Sequence, residues 1–255
     1  MLETAVALLL GHLLADFTLQ GDAMVREKHR LPVMLGHVGV VVAVSWAALG
    51  FPPLPLMLVL VGSTHLVLDV LKLRWAARRR AAGLEPGFGV FAADQAGHLA
   101  VVALAAALWP GAWADGLWAD PASVERIPAL AQLPEAMALA AGLIATVWAG
   151  GYAVRDLMAG LRLPVDPAKD PSLPLGGQLI GRLERLMILM LLLANQPDGI
   201  GLLIAAKSIL RFNELARDAS DRRASEYVII GTLASFAWAI ATAWATATAL
   251  AALAP

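Results

Sequence analysis

Three short stretches each set a histidine and an aspartate four residues apart in an otherwise apolar run. They are His12 and Asp16 in GHLLADFTLQ, His65 and Asp69 in HLVLDVLK, and Asp94 and His98 in DQAGH. On a helix, positions i and i+4 share a face, so each pair presents an imidazole and a carboxylate in one direction. His37 adds a fourth imidazole on another apolar segment. Imidazole and carboxylate together suit a divalent transition metal, zinc first, with iron or manganese as further fits. The chain has no cysteine, which removes thiolate ligands. A catalytic ion takes three protein ligands and keeps one position for water. The candidate ligands His12, His37, His65, His98, Asp16, Asp69 and Asp94 exceed that need. The surplus has two readings. Asp16, Asp69 and Asp94 can orient imidazoles or act as general base, or two ions can sit roughly 3.5–4 Å apart as in phosphoryl chemistry.

The elements that must position these residues are membrane helices. The 255-residue chain is 59% hydrophobic and only 15% charged, whereas a soluble domain is about half apolar and about a quarter charged. A crossing takes about 20 apolar helical residues. On that ruler helices are expected near 3–20, 34–51, 54–73, 89–109, 135–154, 178–194, 200–212 and 227–253. The expected fold class is therefore all-α: a polytopic transmembrane bundle of about eight helices forming one integral membrane domain. Its four-helix half 1–109 carries the His/Asp site, 110–134 forms an outer loop, and 135–255 is a second four-helix half. Pro52, Pro53 and Pro55 separate the second and third helices, and Asn195-Gln196-Pro197-Asp198-Gly199 is a turn between the sixth and seventh.

Loop charge sets the expected orientation. One set of loops holds Arg26, Lys28 and Arg30, then Arg74, Arg78, Arg79 and Arg80, then Arg155, Arg162 and Lys169, then Arg217, Arg222 and Arg223. The alternate loops hold Glu3, Asp115, Asp120, Glu125, Glu135 and Asp198, with Arg126 as their one basic residue. The positive-inside rule then puts both termini outside. With that topology every His/Asp pair and His37 fall in the cytoplasmic half of the membrane, so they are expected to form one site. Gln20, Lys72 and Gln95 lie beside them and can contact substrate or cap and snorkel. His29 sits among loop cations and is read as loop.

The second half carries different chemistry at the expected cytoplasmic helix ends: Arg182, Glu184, Arg185, Lys207, Arg211, Glu214 and Glu226. Its basic residues either anchor the chain against anionic headgroups or clamp a phosphate, with the glutamates holding them by ion pairs.

These motifs carry a resemblance. GHLLADFTLQ (11–20), His37 with HLVLDVLK (65–72), FAADQAGH (91–98), GRLER (181–185), AAKSILRF (205–212) and EYVIIGT (226–232) resemble the bacterial membrane proteins catalogued as domain of unknown function three-three-zero-seven. The resemblance spans nearly the whole chain and implies a multi-pass protein of the bacterial inner membrane, with no activity attached. In chemistry alone, with a different motif order, the His and Asp residues are similar to those of intramembrane zinc hydrolases of the ceramidase and adiponectin-receptor group. They are similar in the same way to the family of membrane-bound metal-dependent hydrolases.

The leading functional expectation is a metal-dependent intramembrane hydrolase acting on a lipid or lipid-phosphate substrate at the cytoplasmic leaflet. Such a protein would hold one or two ions, with membrane lipids as its partners and no nucleic acid. The alternative is a proton- or metal-coupled transporter using the same His/Asp cluster. A bis-histidine haem protein is a third class, disfavoured by the aspartates at i±4.

Overall fold

The computed structural model describes residues 1–161, 175–215 and 222–254, with side chains except at 210–215 and 222–225. Arg162, Lys169 and Arg217, and the side chains of Arg211, Glu214, Arg222 and Arg223, lie outside the described residues. Every regular element described is helical: α1 (Leu2–Phe17), α2 (Asp22–Glu27), α3 (Leu31–Ala48), α4 (Pro55–Ala81), α5 (Gly87–Leu108), α6 (Pro121–Arg126), α7 (Leu133–Ile144), α8 (Gly150–Met158), α9 (Gly176–Leu193), α10 (Asp198–Leu215) and α11 (Arg222–Leu253). A π-helical turn, Ala145–Ala149, joins α7 to α8. The protein is an all-α helical membrane bundle. Each expected segment contains helix, and among the described residues five helical stretches are long and apolar enough to cross a membrane: Leu31–Ala48, Pro55–Ala81, Gly87–Leu108, Pro128–Leu161 and Glu226–Leu253.

The chain forms two compact units, Met1–Ile144 with Thr248–Pro255, and Ala145–Ala247. In the first, α1 is the central element and packs against α3, α5 and α7. Its apolar residues point in every direction, and Val6, Ala7, Leu8, Leu10, Leu13, Ala15 and Phe17 are all buried. A helix that is apolar all round belongs inside. At 16 residues it is roughly 24 Å long, short of the ~30 Å hydrocarbon core.

α4 shows how lipid inverts the usual pattern. Leu56, Val59, Val67 and Leu71 are exposed on one face, while Met57, Gly62, His65, Asp69 and Ala76 are buried. The polar residues thus turn inward and the aliphatic ones outward, as a bilayer solvent demands. α4 also runs on to Ala81 rather than ending near 73. Arginine and alanine are strong helix formers, and the first glycine with positive φ after it is Gly83. His65 and Asp69 therefore lie mid-helix.

Two glycines set close approaches. A Cβ on Gly11 would stand 2.8 Å from Ser45 Oγ and 2.9 Å from Ser45 Cα, so α1 touches the α3 backbone one residue from His12. Gly11→Ala should force the two helices apart and destabilise the unit by about 1–3 kcal/mol, read as a lower thermal unfolding midpoint in detergent. At the turn after α3, Gly50 and Phe51 both adopt positive φ. Leu117 N–H donates to Gly50 O (2.7 Å) and Trp118 Nε1–H to Ala47 O (2.8 Å). A side chain at Gly116 would collide with the Leu49 carbonyl. The expected outer loop 110–134 is thus built onto the end of α3 and contains α6.

The second unit is tied around the π-helical turn. Such a turn frees main-chain carbonyls from the helical ladder, and side chains satisfy them here. Arg185 Nη2 donates to Val147 O (2.9 Å) and Trp238 Nε1 to Ala145 O (2.9 Å). Arg185 Nη1 reaches Ser235 Oγ (3.1 Å), and the Thr146 and Thr242 hydroxyls pair at 2.9 Å. Ile188, Ile200, Phe236 and Ala239 form its apolar core.

Candidate metal centre

Four helices of the first unit converge their polar residues. His12 and Asp16 come from the last turns of α1, His37 from the second turn of α3, His65 and Asp69 from mid-α4, and Asp94 and His98 from α5. All seven are buried. The imidazoles form a row, with ring centroids 5.1 Å apart for His37 and His65, 4.4 Å for His65 and His98, and 4.7 Å for His98 and His12.

The closest contacts are between helices, not within the i, i+4 pairs. His37 Nε2 lies 3.1 Å from Asp16 Oδ1 and 3.1 Å from His65 Nε2. His65 Nε2 lies 3.5 Å from both Asp16 Oδ1 and Asp69 Oδ2, and His37 Nε2 lies 3.8 Å from Asp69 Oδ2. Five of the six separations among these four atoms thus measure between 3.1 and 3.8 Å. Around a tetrahedral zinc ion with bonds of about 2.0–2.2 Å, ligand atoms stand roughly 3.3–3.6 Å apart. The two facing Nε2 atoms cannot both carry protons at 3.1 Å, so at least one offers a lone pair toward the centre. Asp16, His37 and His65 form one group able to hold an ion; His12, His65 and His98 form a second.

Two lysines hold two of the carboxylates. Lys28 Nζ lies 2.9 Å from Asp69 Oδ1 and 2.8 Å from Asp69 Oδ2, with Lys28 only 6% and Asp69 1% exposed. Lys72 Nζ donates to Asp94 Oδ2 at 2.7 Å. Gln95 Nε2 donates to the same oxygen at 2.9 Å, which turns Gln95 Oε1 toward His12 Nε2 at 3.2 Å. His98 Nδ1 donates to Asp94 O at 2.8 Å. With uncharged imidazoles, three carboxylates against two ammonium groups leave one net negative charge, so the cluster favours a cation.

Lys28 is the functional residue that loop reading missed. Its neighbours Arg26 and Arg30 are loop cations, and nothing in its spacing marks it out. The chain after α1 folds back through α2 and carries Lys28 inward to Asp69. Gln20 lies beyond the end of α1, its amide 3.5 Å from both nitrogens of His37. The expected phosphate contacts lie in the second unit. Arg185 is buried against Val147 O and Ser235 Oγ, Lys207 Nζ donates to Glu184 Oε2 at 2.7 Å, and Arg182 is exposed. Arg211 contributes no described side chain.

The architecture and the centre together define an integral-membrane helical bundle with a buried His/Asp/Lys cluster. Residues 4–115 match the model of the family described as Protein of unknown function (DUF3307), which includes every residue of this cluster and bears out the motif resemblance over that part of the chain. No curated protein and no solved structure matches the chain.

Proposed function

We propose that the first unit is a transition-metal centre serving a metal-dependent intramembrane hydrolase, with a lipid or lipid-phosphate substrate drawn from the cytoplasmic leaflet of a bacterial inner membrane. The observation that carries this reading is the buried group of Asp16, His37 and His65, whose ligand atoms lie within 4.8 Å of one another, with Asp69 Oδ2 3.8 Å from His37 Nε2 and 3.5 Å from His65 Nε2. A divalent ion there, zinc first, would supply Lewis acidity and lower the pKa of a bound water to about 7. Asp16, His37 and His65 would hold it, and Asp69, kept in place by Lys28, would accept a proton from an attacking water. Water oxygen would then bond to the phosphoryl or acyl centre as the ester bond breaks, and Lys28 at Asp69 and Lys72 at Asp94 are the ammonium groups of the cluster that can protonate the leaving oxygen.

A second reading, proton- or metal-coupled transport, is favoured by one feature, the continuous row of four imidazoles. The phosphate clamp expected from Arg182, Arg185, Lys207 and Arg211 is not needed for either reading. Elemental analysis of protein purified without chelator is the test. Stoichiometric zinc, iron or manganese with release of phosphate from a lipid phosphate in mixed micelles supports the hydrolase. Bound metal with no turnover, but pH-driven uptake into proteoliposomes, replaces it with the transporter. Protein that stays metal-free after incubation with each of these ions defeats both metal readings.

A further inference from the structure

An ion held by Nε2 of His37 and His65 makes no use of His12 and His98. Each is at most 4% exposed. His12 Nδ1 and His98 Nε2 are buried and, among the described residues, have no hydrogen-bond partner. An unpartnered buried polar atom is costly and calls for a reason.

The opposite nitrogens determine which way the lone pairs face. His98 Nδ1 must donate to Asp94 O, because a carbonyl only accepts, so the neutral ring has its lone pair on Nε2. Gln95 presents Oε1 to His12 Nε2 because its amide nitrogen donates to Asp94 Oδ2, so the neutral His12 ring has its lone pair on Nδ1. Lys72 fixes Asp94 in turn. Both imidazoles are therefore set as metal-ligating histidines are, with an outer acceptor holding the distal N–H. Ligand atoms of His12, His65 and His98 lie within 4.8 Å of one another. The three rings also line one small cavity, whose other walls are Ser45 and the aliphatic side chains of Leu8, Val41, Val61, Val101 and Val102.

Asp16 connects the two positions. Its Oδ1 faces His37 and His65, while its Oδ2 lies 3.8 Å from the free Nδ1 of His12. We propose that the centre binds two divalent transition-metal ions, Asp16 bridging them through its two oxygens and His12 and His98 holding the second. This rests on the first position being a metal site. It also sharpens the substrate class. Two divalent ions added to a cluster of net charge −1 leave a positive surplus that a hydroxide and a phosphoryl dianion together would neutralise, favouring a phosphate ester over an uncharged carboxylic ester.

The test uses full-length protein in nanodiscs, stripped with chelator and titrated with Zn²⁺ alone under equilibrium dialysis. Wild type should saturate at two ions per chain and His98→Gln at one. Gln95→Leu, which keeps every imidazole, should weaken only the second ion, by about 10–100-fold as outer-shell losses do. Mn²⁺ loading of wild type should give an exchange-coupled spin-resonance spectrum that His98→Gln reduces to an isolated ion. Saturation of wild type at one ion, with affinity untouched by His98→Gln, overturns the second position and leaves the first standing. No Zn²⁺ binding at all overturns both.

Discussion

Replacing His65 with alanine should empty the metal position formed with Asp16 and His37, whereas His29→Ala should leave it unchanged. His65 is the one imidazole common to both groups of prospective ligands, and its Nε2 contacts His37, Asp16 and Asp69. An outer-shell partner typically matters about 10–100-fold in metal affinity; a directly ligating group should exceed that. Loss of the ring also leaves the Asp16 and Asp69 carboxylates facing a void on α4. His29, by contrast, is on the surface, its Nδ1 3.1 Å from Arg26 O. The measurement is metal content per chain after gel filtration, paired with turnover. Full occupancy in His65→Ala would mean that the ion sits elsewhere.

The second large effect is on stability. Lys28→Met should lower unfolding stability by about 3–5 kcal/mol, because it strands the Asp69 carboxylate in a buried site without its partner. Lys28→Met combined with Asp69→Leu should recover most of that loss, since replacing a whole buried ion pair with apolar residues of similar size is often neutral or stabilising. The single variant should also gain more from added Zn²⁺ than wild type does, because the ion becomes the only cation left beside Asp69. Thermal unfolding of the three proteins in one detergent, with chelator and with Zn²⁺, reads all of this. A Lys28→Met protein as stable as wild type would show that the pair contributes nothing to the fold.

The sequence made the participants of the cluster legible and hid most of their partners. His12, His37, His65 and His98 stand out because an ionisable residue on an apolar helix is costly in lipid unless it meets other polar groups, and loop charge brings all four to one depth. Spacing within a helix is a poorer guide to contact. Residues at i and i+4 point in parallel, so the pairs His65–Asp69 and His12–Asp16 are 3.5 and 3.8 Å apart. Side chains from different elements point at one another, so His37 on α3 meets Asp16 at 3.1 Å, and Lys28, in the connection after α2, meets Asp69 at 2.8 Å. No periodicity carries that information. Gln95 was legible as a neighbour, but its role of fixing the His12 ring follows only from the Asp94–Lys72 contact. Hydropathy also stopped α4 too soon, because it reacts to the first arginine while helix propensity does not.

Sheltered α1 has a further consequence, for the order in which the unit is assembled. It precedes its partners in the chain, yet it is roughly 6 Å too short to span the hydrocarbon core by itself. Among the described residues, its imidazole and carboxylate meet groups on α3, α4 and α5. α3, α4 and α5 are each long and apolar enough to cross a membrane, whereas the shorter α1 has its place among the helices that follow it. Membrane insertion and assembly of the centre are then one event for α1, so loss of the polar cluster should appear during biogenesis as an N-terminal helix that never fully enters the bilayer.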